Sequence, residues 1–217
     1  MPTFARKFWS EYKGTALFIA LMMIFRSALA DWNSVPSGSM KPVIIEGDRI
    51  SVNKMAYDLR VPFTTISLVK RADPVLGEVV IFDSEKAGVR LVKRLIGVPG
   101  DIVQMTDNRL VINGKPAAYT ERTDGDGFYT VTETIGNYSH RIRIEIDRPG
   151  PLRSFGPVQV PHDHYLVLGD NRDNSLDSRY YGFVPRSEFV GRSNKVVISF
   201  NPDNFYLPRG DRFLEPL

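Results

Sequence analysis

From residue 33 onward the apolar residues come in short, β-branched runs bounded by turn formers, at 49–52, 78–82, 89–96, 110–112, 165–168 and 195–200. Runs of this length fit strands and show no sustained helical period. That confines most of the chain to a mostly β fold. Asn113-Gly114 follows Leu110-Val111-Ile112 as a two-residue hairpin turn, and Pro99-Gly100-Asp101 marks another reversal. Between 117 and 161 the composition becomes polar and rich in glycine. There, 128–134 and 138–146 flank Gly136-Asn137 as an extended hairpin. We read this stretch as a lobe inserted into a β core made of 33–116 and 162–200. The stretch 201–217, with four prolines or glycines among its charges, reads as surface loop.

Upstream of the core, Arg6, Lys7 and Lys13 precede an uncharged apolar run over 15–25, and Arg26 is followed by Ser27-Ala28-Leu29-Ala30, Asp31 and Trp32. At 1.5 Å per residue the run is roughly 16 Å long and 14–30 is roughly 25 Å, against a hydrocarbon core of about 30 Å. A short membrane-spanning helix over 14–32 is the expectation, with 1–13 cytoplasmic under its basic leader, Arg26 snorkelling to the far interface and Trp32 in an aromatic belt. The same residues fit a cleaved secretory signal, with Ala28-Leu29-Ala30 as the small-residue pattern before the cut. A buried amphipathic helix fits poorly, since no polar face recurs between 15 and 25. Either of the first two readings exports the rest of the chain. The net charge of +3 comes from dispersed Lys and Arg, which suits a membrane surface better than nucleic acid. No cysteine is present, so thiol nucleophiles, disulfides and thiolate metal sites are excluded.

Three segments hold candidate chemistry. Pro36-Ser37-Gly38-Ser39-Met40-Lys41-Pro42 places two hydroxyls around a glycine between prolines, a loop able to hold a hydroxyl and nearby N–H groups at fixed geometry or to be an ordinary turn. In 89–96 a two-residue period puts Val89, Leu91, Lys93 and Leu95 on one face, so Lys93 sits among aliphatics. An ammonium there loses hydration, which favours the neutral amine, a base able to take a proton from serine; a strand-edge lysine reaching water is the competing reading. The third segment runs from Gly169 to Arg179. Its calcium-loop spacing fails, because from Asp173 the sixth position is Ser178 and the twelfth Val184. Asp173, Asp177, Arg172 and Arg179 are instead expected to pair within the loop. The three histidines, His140, His162 and His164, accompany no Gly-x-Ser-x-Gly elbow, so neither a histidine triad nor a metal site is indicated.

Taken together and in order, these segments resemble bacterial type I signal peptidase. The residues that carry the resemblance are Pro36 to Met40, Gly47-Asp48, Gly77-Glu78-Val79-Val80-Ile81-Phe82, Val92-Lys93-Arg94, Gly97-Val98-Pro99-Gly100-Asp101, and Gly169 to Arg179 with Tyr180, Gly182, Phe183 and Val184. The resemblance implies a Ser-Lys serine endopeptidase without a cofactor or metal, with Ser39 as nucleophile and Lys93 as base. The Ser39 N–H and the Ser37 hydroxyl would form the oxyanion hole, Ser175 would orient the amine, and Asp177 and Arg179 would brace the loop. Val35, Pro36, Met40, Leu91 and Val92 would line pockets for small residues before the cut. The implied partners are signal peptides of exported preproteins, a lipid bilayer and the neighbouring secretion translocon. The implied location is the bacterial inner membrane, in a single pass with the catalytic domain outside. A second membrane span and an aromatic at the Leu91 position, both common in such enzymes, are absent. The alternatives are a specialised pilus or conjugation peptidase of the same family, a non-catalytic β domain binding exported peptides, and a self-cleaving Ser-Lys regulator, for whose sensor domain 32 residues before the Ser39 loop leave no room.

Overall fold

Val79-Val80-Ile81-Phe82 is apolar at consecutive positions, so a strand built from it must be covered on both faces. In the structure, a computed structural model describing residues 2–64 and 66–217, this strand is the centre of the molecule. Residue 1 of the expected leader, the side chains of Arg6 and Lys7, and those of Ala28 and Ala30 lie outside the described residues and side chains.

The chain opens with α1 (Pro2–Ala28), β1 (Ala30–Ser34), β2 (Asp48–Asn53), β3 (Asp58–Arg60), β4 (Ser67–Lys70), β5 (Val79–Ser84) and β6 (Val89–Gly97). It continues through β7 (Ile102–Thr106), β8 (Arg109–Ile112), β9 (Lys115–Pro116), β10 (Ala118–Asp124), β11 (Phe128–Ile135), β12 (Tyr138–Glu145) and β13 (Phe155–Gln159). The last elements are β14 (His164–Leu168), α2 (Ser178–Tyr181), β15 (Val184–Pro185), β16 (Phe189–Ser193), β17 (Val196–Asn201) and β18 (Leu207–Pro208). A nine-stranded antiparallel sheet runs β15-β14-β6-β5-β16-β2-β17-β18, with β1 also paired to β2. A four-stranded sheet, β13-β7-β8-β9, and a three-stranded sheet, β10-β11-β12, stand beside it, and β3 and β4 form a separate hairpin.

Alternation along β5 divides the core. Val79 and Ile81 join Val35, Met40 and Ile50 on one face, while Val80 and Phe82 join Tyr57, Leu95 and Phe189 on the other. Burying each such side chain contributes about 1.5–3 kcal/mol. A further cluster, with Ile96, Met105 and Leu168, joins the end of β6 to the four-stranded sheet. The hairpin at Asn113-Gly114 forms as expected: Ile112 pairs with Lys115, and the turn residues take φ of 51° and 75°, the left-handed pair a type I′ turn needs.

The structure adjusts several expectations. The helix expected over 14–32 runs instead from Pro2 to Ala28, and residues 30–34 are diverted into β1 because their edge pairs with β2. Among the described residues no helix is long and apolar enough to cross a membrane. The region 117–161 holds the expected hairpin, with Ile135 opposite Tyr138, yet β13 leaves it to pair with β7. The tail is more than surface loop: Arg212 donates to the buried Asp48 carboxylate at 2.6 and 3.0 Å, Val196 N–H donates to Glu215 O, and Leu217 packs on the core.

Candidate active site

Ser39 lies in a single 3₁₀ turn, Gly38–Met40, whose last side chain is 1% exposed and acts as the plug that fixes the loop to the core. Two carbonyls of this turn are held from across the molecule. Asn171 N–H donates to Ser39 O at 3.0 Å, and Asn171 Nδ2 donates to Gly38 O at 3.1 Å. Gly169 runs so close that a Cβ built on it would stand 2.5 Å from Ser39 O, so only glycine fits there.

Lys93 enters from β6, where it is paired across the sheet with Val80. It is 2% exposed, and its Nζ lies 2.6 Å from Ser39 Oγ. Burial penalises the ammonium and lowers the amine to about 8, although Asp177 and then Asp170 pull in the opposite direction. Half of the amines are then neutral at pH 8, with a lone pair that accepts from the serine hydroxyl. Ser39 and Lys93 therefore meet as a nucleophile with an adjacent base.

The loop of 169–179 is held from within and without. Asp177 Oδ2 accepts from Gly169 N–H at 3.0 Å, Oδ1 caps α2 through Arg179 N–H at 3.2 Å, and the Arg179 guanidinium forks onto both oxygens at 2.7 and 2.8 Å. Arg172 and Asp173 do not pair inside the loop as the sequence suggested. Arg172 forks onto Glu133 of β11, and Asp173 accepts from Asn108, Glu145 N–H and Gly150 N–H. Ser175, expected to orient the amine, is buried and makes no hydrogen bond among the described residues; its hydroxyl packs over Gly169, where a Cβ would be 2.2 Å away. Ser37 is exposed at the head of the turn, with an extended backbone and, among the described residues, no capping bond from its hydroxyl.

A cleft of about 520 Å³ opens onto the pair and is lined by residues 32–37, 39, 40 and 89–93. Val35, Pro36, Met40, Leu91 and Val92 all face it. Its walls are two strands with free edges. β14 pairs with β6 only over Arg94 to Gly97, which leaves residues 89–93 unpaired on that side among the described residues, and β1 pairs with β2 alone. Such edges accept an extended peptide as a further strand. Among the described residues none of the histidines contacts Ser39, and no group of three or more His, Asp or Glu is placed to hold a metal ion.

Sequence reasoning missed Asn171, which carried no signal beyond a turn-forming residue in a polar loop. It also gave Arg94, on the strand face opposite Lys93, no role in the site. Arg94 is 1% exposed and forks onto Asp170 at 2.7 and 2.8 Å; an arginine inside an apolar run next to the candidate base was the available clue.

Comparison with known proteins gives the family. Residues 9–198 match the family model described as signal peptidase, peptidase S26. The signal peptidase I of Pseudomonas fluorescens is 38% identical over 90% of this chain and 74% of its own, and that of Pseudomonas aeruginosa 37% identical over the same shares. A crystal structure of a signal peptidase I from Enterococcus faecalis is 30% identical, covers 56% of this chain and 97% of its own, and has a TM-score of 0.36.

Proposed function

This chain belongs to the signal peptidase family, peptidase S26, and we propose that it removes N-terminal signal peptides from exported preproteins, cutting after small residues through Ser39 and Lys93. The observation that carries the reading is the 2.6 Å approach of a buried, depressed lysine amine to a serine hydroxyl beside a strand-shaped cleft. The preprotein lies extended between the free edges of β1 and residues 89–93, with small side chains in the shallow pockets by Val35, Met40, Leu91 and Val92. Neutral Lys93 takes the Ser39 proton as Oγ attacks the scissile carbonyl, and Ser39 N–H and the Ser37 hydroxyl stabilise the oxyanion. The lysine ammonium then protonates the departing amine, leaving the peptide as an ester on Ser39. Water, deprotonated by the same amine, cleaves that ester and restores both groups.

The lipid bilayer is the second partner of this reading. Among the described side chains of α1, Leu17, Phe18, Ile19, Leu21, Met22, Met23 and Ile24 are exposed, and at about 100° per residue they point to every side of the helix, as suits lipid rather than a protein face. Beside it, Phe63 N–H donates to Ser27 Oγ at 2.6 Å, bringing the exposed Phe63, Ile66 and Leu68 of the β3–β4 region to the end of the helix. We place the N-terminus in the cytoplasm and the catalytic core on the outer face of the cell membrane, near the secretion translocon.

The test is cleavage of a preprotein by the detergent-solubilised chain. Wild type cuts before the mature sequence, whereas Ser39→Ala and Lys93→Ala stay at background while still binding the signal peptide. Cleavage by either variant at a near-normal rate sinks the dyad, and a wild type that binds without cutting leaves a peptide-binding β domain.

A further inference from the structure

Away from the cleft, the inserted lobe sends charge into the core, which costs free energy unless every member is paired. Glu133 of β11 is fully buried, and its two oxygens meet the Arg172 guanidinium, which is also buried; Nη1 donates to Oε1 at 2.8 Å. Tyr119 of β10 donates its hydroxyl to Glu133 Oε1 at 2.7 Å. From β12, His140 Nε2 stands 3.3 Å from Glu133 and 3.8 Å from Asp170, and the Tyr138 hydroxyl accepts from Arg94. The surrounding cations hold the Glu133 carboxyl far below the usual carboxylate range despite its burial.

The lobe also grips the loop by its backbone. Arg143 N–H of β12 donates to Asp170 O at 2.8 Å, and Arg172 N–H donates to Arg143 O at 2.9 Å. These two bonds bracket Asn171, the residue whose N–H and side chain hold Ser39 O and Gly38 O. A continuous chain of contacts thus leads from Glu133 through Arg172 and Asn171 to the turn carrying Ser39. On the other side the Asp170–Arg94 pair fixes the residue next to Lys93.

We propose that Glu133 is a positioning residue: through Arg172 it seats the inserted lobe on the 170–172 segment and sets the place of the Ser39 turn against Lys93. This assigns the lobe a role in turnover rather than in holding substrate, since neither Glu133 nor Arg172 lines the cleft. The inference rests on Ser39 being the nucleophile.

The experiment uses the full chain in detergent with a preprotein peptide. Glu133→Gln with Arg172→Gln removes both charges, so neither is left uncompensated in the core. The expected result is kcat lower by roughly 10-fold or more, KM within about 2-fold of wild type, and faster hydrogen exchange at Asn171 N–H, since small displacements of reacting groups are costly. A melting temperature close to wild type separates this from simple unfolding. Should that pair fail to fold, Tyr119→Phe, which removes the hydroxyl's bond to Glu133 together with the one it accepts from Leu110 N–H, is expected to lower kcat about 3-fold at constant KM, near the value of one net hydrogen bond. A folded variant with wild-type kcat, or one changed in KM alone, overturns the proposal. Ser39→Ala in the same assay keeps the two readings apart: if it is inactive while the Glu133 variants turn over normally, the positioning role alone falls.

Discussion

Ser39 and Lys93 each do little alone. A serine in a Gly and Pro loop and a lysine in a strand become chemistry only because Met40 anchors one turn, β5 pairs along one edge of β6, and 2.6 Å separates Oγ from Nζ. In the proposed mechanism Ser37 acts at one remove from the proton transfer, as an oxyanion donor. Replacing it with alanine deletes one oxyanion donor, which costs roughly 2.7–4 kcal/mol of barrier, so turnover should fall about 100- to 1,000-fold. Its side chain is exposed and makes no capping bond, so the melting temperature should stay at the wild-type value. Steady-state kinetics beside a thermal melt checks both, and a near-normal rate removes Ser37 from the hole. Each motif alone also fits an ordinary turn or a strand-edge lysine, so Ser39 and Lys93 stood out only through the ordered set of motifs, and the role of Ser37 came from the resemblance. Ser175 was proposed as a hydroxyl left free by the paired charges of its loop and given the lysine as neighbour by the resemblance; among the described residues its hydroxyl makes no hydrogen bond. The supporting contacts were illegible for a different reason: Arg94–Asp170 and Arg172–Glu133 join residues 76 and 39 positions apart, and no local pattern encodes such a distance.

Among the elements, strands were readable wherever burial imposed a rule. The unbroken apolar run in β5 announced a strand covered on both sides, and Asn113-Gly114 announced its turn. β13 escaped notice because Phe155-Gly156-Pro157 interrupts any alternation, and its pairing to β7 carries a register shift. α1 was expected to continue to Trp32, but pairing of Ala30 to Ser34 with β2 satisfies their backbone groups in a strand and ends the helix early. The apolar surface of α1 has a consequence at this scale. Full-length protein should float with vesicles of mixed anionic and neutral phospholipid, and a chain lacking 2–28 should lose most of that binding, because burying exposed apolar area in lipid is the dominant favourable term. Equal flotation of the two would assign membrane contact to another surface, the β3–β4 region first.

At the scale of the whole molecule, a sheet of nine strands, a satellite sheet and an inserted hairpin lobe converge on one turn and one strand. The fold class followed from periodicity, whereas the convergence did not, since it depends on which strands exchange partners. Its main electrostatic result is a lysine kept from water. Lys93 in the folded protein is lowered from 10.5 to about 8, so the amine binds its proton less tightly than in the unfolded chain. Protonation below pH 8 therefore works against both folding and catalysis. The neutral base fills as pH rises through 8, and kcat/KM should rise with it. The most direct test is an NMR titration of the Lys93 side chain in the folded full-length protein, read at its Cε and Nζ signals. A midpoint near 8, matched by the rising limb of kcat/KM, is the result the Ser39–Lys93 account predicts; a midpoint above about 10, the ordinary lysine range, would contradict it.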